Sequence, residues 1–148
     1  MASLTKSFTT AAILRLWETG PLNLNAPIAG LIAPTHDRML TGGTYDIGAI
    51  AVRHLLMHAG GLADHAEGPA CLDAILANPG HVWARTGQIA VMVDLGPPLS
   101  DAGAKFTYSD TGYVLPGEVI ERATNQPLGQ AVRDLLRWDA FGLHDVRW

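Results

Sequence analysis

The sequence lacks the features that would place it in several large protein classes. Its single cysteine, Cys71, rules out a disulfide within the chain. A lone thiol does not report its compartment, and the side chain reads as a small buried apolar group. Lys and Arg total 10 against 14 Asp and Glu, they form no run, and the formal net charge is −4. Nothing there would follow a phosphate backbone, so nucleic acid is not an expected partner. No apolar stretch approaches the roughly 18 to 20 residues of a bilayer span, and the first residues lack the basic start and apolar block of a signal peptide. Strand signals are few and short and no internal repeat is visible, which sets aside a large sheet and a solenoid.

What remains is a chain of 148 residues, 48% apolar and only 16% charged, with 16 glycines and 9 prolines scattered along it. That composition belongs to a folded chain of one domain's length, not to a linker or a disordered tail. Residues 3–18 contain no Gly or Pro, and their apolar positions cover more than one face, which predicts a helix buried nearly all round and ended by Gly20-Pro21. A short alternating stretch and a brief helix near Pro27 are expected next, and residues 35–48, with Gly42-Gly43, read as loop or a small hairpin. Further helices are predicted over 52–57, 70–78, 86–94 with Thr86 as N-cap, 111–124 and 128–138. The expected class is mainly α.

Two short stretches carry candidate chemistry. Ser3-Leu4-Thr5-Lys6 is an S-x-x-K spacing at a helix start, which puts hydroxyl and amine on one face within side-chain reach. A serine hydroxyl is a weak nucleophile, and an amine desolvated against an apolar helix can lose its proton and serve as base. The helix N-terminus adds a positive dipole end where an oxyanion would develop. The same residues also fit an N-cap serine followed by a solvated lysine. In the second stretch, residues 106–113, Tyr108 and Asp110 precede a helix. A phenol beside a cationic lysine can shuttle protons, and Asp110 fits either an orienting and substrate-binding role or a simple N-cap.

Four segments in order resemble the beta-lactamase-related serine hydrolases, which include class C beta-lactamases, D-alanyl-D-alanine carboxypeptidases, D-aminopeptidases and esterases. Met-Ala-Ser3-Leu-Thr-Lys6-Ser-Phe-Thr is similar to the family's nucleophile motif. Residues 52–62 (VRHLLMHAGGL) resemble its VRHLLTHTSGL segment, residues 106–113 its F-x-YSN-x-GY segment, and Phe141-Gly142-Leu143 its PLGM turn. The resemblance implies an α+β beta-lactamase/transpeptidase-like fold, of which residues 1–148 would be a single partial domain: the helical portion, with the antiparallel sheet largely absent. It implies Ser3 as acyl-forming nucleophile, Lys6 as activating base and Tyr108 as general base and acid. Asp110 falls on the family's substrate-contacting Asn. A carboxylate there would pair with Lys6, raise its pKa and remove an amide donor, which favours ester or peptide substrates over beta-lactams.

The substrate would be a small molecule or peptide, with no cofactor and no metal implied. The family's strands ahead of the nucleophile helix, and its Lys-Thr-Gly or His-x-Gly strand with an oxyanion-hole donor, have no counterpart here. A missing donor of that kind costs on the order of 100- to 1,000-fold in rate, so the chain alone is expected to turn over little or nothing. Two other readings stand beside this one. His54 and His58, an i, i+4 pair with Asp64 and His65 nearby, have the spacing of a metal site. A non-catalytic helical module binding a partner through an apolar face shares every fold expectation and ignores Ser3.

Overall fold

The structure, a computed structural model, describes residues 3–144 and 146, apart from the Ala70 side chain. Among them are seven α-helices: α1 (Leu4–Glu18), α2 (Pro34–Gly42), α3 (Val52–Leu56), α4 (Pro69–Ala77), α5 (Arg85–Asp94), α6 (Thr111–Thr124) and α7 (Leu128–Leu135). Short 3-10 turns follow at His65–Glu67 and Trp138–Phe141. The described residues contain no strand, only an isolated antiparallel bridge between Pro27 and Ala51. That bridge stands where a brief helix is expected from Pro27.

The core forms around α6. Leu115, Val119 and Ile120 are almost completely buried, and α1, α3, α5 and α7 all pack on this helix. From α1 come Ala12, Ile13 and Leu16, at the i, i+1, i+4 spacing that defines one helical face. The other face of α1 does not match the sequence expectation, because Leu14 and Trp17 are about half exposed. The helix is buried along one stripe and open on the other.

A second correction concerns residues 35–48. They begin inside α2, with Pro34 in its first turn and Gly43 just past its end. A proline at the first helical position has no amide to lose, and a glycine after the last turn is a common stop. The Gly-Gly pair punctuates a helix here instead of making a hairpin. What secures α2 is distant in sequence: Glu118 of α6 accepts from the Ala33 amide (3.0 Å) and from His36 Nδ1 (2.7 Å). Glu118 is buried, so without these partners its carboxylate would be strongly unfavourable. Thr86 does not act as N-cap of α5. Ala84 holds that position, and the Thr86 hydroxyl lies 3.0 Å from His36 Nε2, extending the same buried network.

Candidate active site

The N-terminus of α1 meets the loop ahead of α6. Ser3 occupies the N-cap position, yet its side chain makes no capping bond to the helix. Its Oγ lies 3.2 Å from Tyr108 Oη, a contact between residues 105 positions apart. One turn along, Lys6 Nζ is 3.5 Å from Ser3 Oγ and forms an ion pair with Asp110. The Tyr108 hydroxyl donates to Asp110 Oδ1 at 3.3 Å. Lys6 Nζ also sits 5.1 Å from the Tyr108 ring centroid and 5.8 Å from that of Tyr113, over electron-rich faces. All four residues singled out in the sequence therefore converge.

Local packing explains the convergence. Tyr113, on the first turn of α6, donates its hydroxyl proton to the Leu56 carbonyl (2.8 Å), and its oxygen lies 2.9 Å from Thr10 Oγ1 of α1. One side chain thus ties α1, α3 and α6 together directly behind Lys6. Asp110 stands at the N-cap position of α6, but the capping bond comes from its neighbour. Ser109 Oγ accepts from the Gly112 amide at 3.0 Å and donates to the Ala63 carbonyl at 2.8 Å. Asp110 makes no capping bond, which leaves its carboxylate for Lys6 and Tyr108.

Electrostatics decide the state of Lys6. Burial is the largest single influence and pulls its pKa down, but hydrogen bonds to Asp110 and Tyr108, with the Asp110 charge, outweigh it and leave Lys6 above its ordinary value. Lys6 is accordingly an ammonium at neutral pH. The desolvation expected from the apolar helix is present, and the carboxylate in its reach overrides it.

Sequence reasoning missed the part played by His58. Its ring stacks on Tyr108 with centroids 4.4 Å apart and planes 25° from parallel, and its Nδ1 accepts from the Ser109 amide at 3.1 Å. A tyrosine followed by a serine shows no sign of needing a histidine some 50 positions earlier. The metal-site spacing, by contrast, is not used as a pair. His54 Nδ1 accepts from the Ala51 amide while His58 serves Ser109, and no cluster of three or more potential ligands forms among the described residues.

Beside the Lys6–Asp110 pair opens a cavity of about 470 Å³, walled by His65, Trp83, Arg85, Gln88 and Leu128. Arg85 is held by Glu121 at 2.8 Å, and His65 by the Thr111 hydroxyl at 2.9 Å. Burial, partly opposed by Asp64 and Asp110, keeps the His65 pKa below its usual value. The walls combine a charged guanidinium and neutral polar groups with apolar surface, as in a pocket for a small organic ligand.

Residues 1–147 match the beta-lactamase family. The chain belongs to that family. This beta-lactamase family chain is 33% identical to the esterase EstB of Burkholderia gladioli, over 98% of its own length and 37% of EstB. It is 30% identical to a penicillin-binding protein of Bacillus subtilis (strain 168), over 99% of its own length and 30% of that protein. A solved D-stereospecific amidohydrolase from a Streptomyces species superimposes with a TM-score of 0.74 at 31% identity, covering 89% of this chain and 39% of the other. The chain spans between three and four tenths of these relatives' lengths. Its helices are the helical portion of the beta-lactamase/transpeptidase-like fold. The two residues ahead of Ser3 in the nucleophile motif lie outside the described residues.

Proposed function

We propose that this family member is a serine hydrolase that forms an acyl-enzyme on Ser3 from an amide, ester or beta-lactam carbonyl. The supporting observation is the meeting of Ser3 Oγ, Lys6 Nζ, Tyr108 Oη and Asp110 from two stretches far apart in the sequence. The polarity of their hydrogen bonds suggests how a proton moves. Because the Tyr108 hydroxyl donates to Asp110, its oxygen lone pair faces the Ser3 hydroxyl. As Ser3 Oγ attacks the carbonyl carbon, its proton passes to Tyr108 while the phenolic proton passes to Asp110. The reverse sequence protonates the leaving group.

Lys6 then activates by charge. An ammonium 3.5 Å from Ser3 Oγ favours the developing alkoxide, and the N-terminal end of α1 adds positive potential for the oxyanion. Asp110 also borders the cavity, where it offers a substrate amide an acceptor but no donor. That chemistry fits esters and peptides better than beta-lactams, whose acylamide carbonyl needs a donor.

The chain matches only part of each relative, so covalent labelling is a better test than turnover. Incubation with a fluorophosphonate and intact-mass detection should give one adduct, lost in Ser3→Ala. Labelling that survives Ser3→Ala would remove the nucleophile assignment. A non-catalytic partner-binding role has one observation in its favour, the exposed Leu72, Ile75, Leu76 and Val82 in and just after α4.

A further inference from the structure

We infer that His58 is the positioning residue that holds Tyr108 against Ser3, and that it does so as a neutral imidazole. The inference rests on the reading of Tyr108 as the proton carrier. Residues 106–109 have no helix or strand of their own, and His58 grips them at two points. Its carbonyl accepts from the Thr107 amide at 2.7 Å and its Nδ1 accepts from the Ser109 amide at 3.1 Å, one contact on each side of Tyr108. Between these points its ring lies flat on the phenol at 4.4 Å, with Phe106 edge-on at 5.7 Å and Tyr113 at 4.9 Å.

The backbone at His58 contributes as well. Its φ is 52°, in the left-handed region that Gly, Asn, Asp and His enter more readily than other residues. It is the left-handed residue that ends α3, where the His58 amide donates to the Leu55 carbonyl at 3.1 Å and the Ala59 amide to the His54 carbonyl at 2.7 Å. The conformation lets the carbonyl and the ring of one residue face the same loop.

The Ser109 contact works only with Nδ1 unprotonated, because an N–H would face another N–H. Burial first, and the Lys6 cation second, push His58 below its usual pKa, while Asp110, Asp64 and a backbone hydrogen bond at Ser109 oppose them without winning. Tyr108 and Tyr113 complete the set of titratable groups facing the ring. At pH 7 the acceptor is therefore present, and acid removes it.

Two substitutions separate the acceptor from the ring. His58→Asn keeps an acceptor near the Nδ1 position and tolerates positive φ, but cannot titrate. His58→Leu removes acceptor and ring together. NMR on the full chain should show the Ser109 amide and the Tyr108 ring-proton signals following the His58 ring through one midpoint below 6.5. His58→Asn should abolish that titration and leave the Ser109 amide hydrogen-bonded. Fluorophosphonate labelling of Ser3 should fall along the same midpoint in the unmodified chain, show no such acid limb in His58→Asn, and drop about 10- to 100-fold in His58→Leu at pH 7, the scale of a misplaced reacting group. If Ser109 and Tyr108 fail to follow His58, or if His58→Leu labels as fast as the unmodified chain, the positioning role is wrong. If the three signals titrate together but Ser3 never labels, the nucleophile reading fails while the grip of His58 on the loop stands.

Discussion

Helices α6 and α4 are both rich in apolar residues, and they behave in opposite ways. Along α6 the side chains of Leu115, Val119 and Ile120 are sealed in the core, and Glu118 is satisfied by partners from α2 and the residue before it. Among the described side chains of α4 only Cys71 is buried, while Leu72, Ile75 and Leu76 stand in the open. The candidate site is built on the first of these regions. Tyr108, Asp110 and Tyr113 either precede or begin α6, and Lys6 lies on α1, which packs against it. Proton transfer needs heavy atoms held about 3 Å apart, and a fully packed helix holds that geometry where a half-exposed one would not. Apolar content alone does not separate the two regions. Burial does.

The sharpest way to break this comparison is to truncate one leucine in each. Leu115→Ala should cost about 2 to 5 kcal/mol in urea unfolding, the range for emptying a buried leucine site. A loss below about 1 kcal/mol would show that α6 is not the centre of the core.

Gly61→Ala should come next. The backbone there has φ +71°, and an added Cβ would sit 2.1 Å from the Ser100 carbonyl oxygen. The left-handed penalty alone is about 1 to 2 kcal/mol, and the contact is with backbone that cannot rotate away. Because Leu99 donates its amide to the Gly61 carbonyl at 2.9 Å, displacement of the 96–105 connection should appear as faster amide exchange at Leu99. Unchanged exchange would contradict the close approach.

Asp110→Asn touches the site itself and should change stability by about 1 kcal/mol or less, since the pair is partly solvated. Its signature is in pH. A lysine whose folded pKa is raised contributes stability that is complete below its unfolded value of 10.5 and is lost as pH rises through the folded value. Asp110→Asn should therefore reduce stability at pH 7 and make it less sensitive to pH above 10.5. It should also lower the Lys6 pKa, read from its side-chain NMR signals. A rise in that pKa would contradict the assigned cause.

The smallest effect should come from Leu76→Ser on α4, where the side chain is 71% exposed. Its stability should stay within about 0.5 kcal/mol of the unmodified chain. A loss of several kcal/mol would show that this face is covered after all.

Much of this was readable from residue order because the signals are local. Helix α6 shows its periodicity between Ser109-Asp110 and Asn125, and the S-x-x-K spacing places Ser3 and Lys6 on one helical face. The joining of Ser3 to Tyr108 needed the family resemblance, since no local pattern spans 105 positions. Other features stayed hidden for physical reasons. Helix α2 is stabilised by Glu118, 85 residues beyond the Ala33 amide it caps, and its Gly42-Gly43 ending resembles a turn. Capping by Ser109 instead of Asp110 depends on which of two adjacent polar side chains finds a better partner elsewhere. His58 is legible as a motif position, but its use of a backbone amide as partner leaves no mark in side-chain patterns.

The rate of adduct formation at Ser3 in Tyr108→Phe, measured by intact mass with a fluorophosphonate at pH 7, bears most directly on this arrangement. The phenylalanine keeps the ring on His58 and removes only the oxygen that links Ser3 to Asp110. Labelling should fall by about 100-fold or more, the usual worth of a positioned proton-transfer group. Labelling at the unmodified rate would show that Ser3 is activated without Tyr108 and that the four converging side chains do not act as one site.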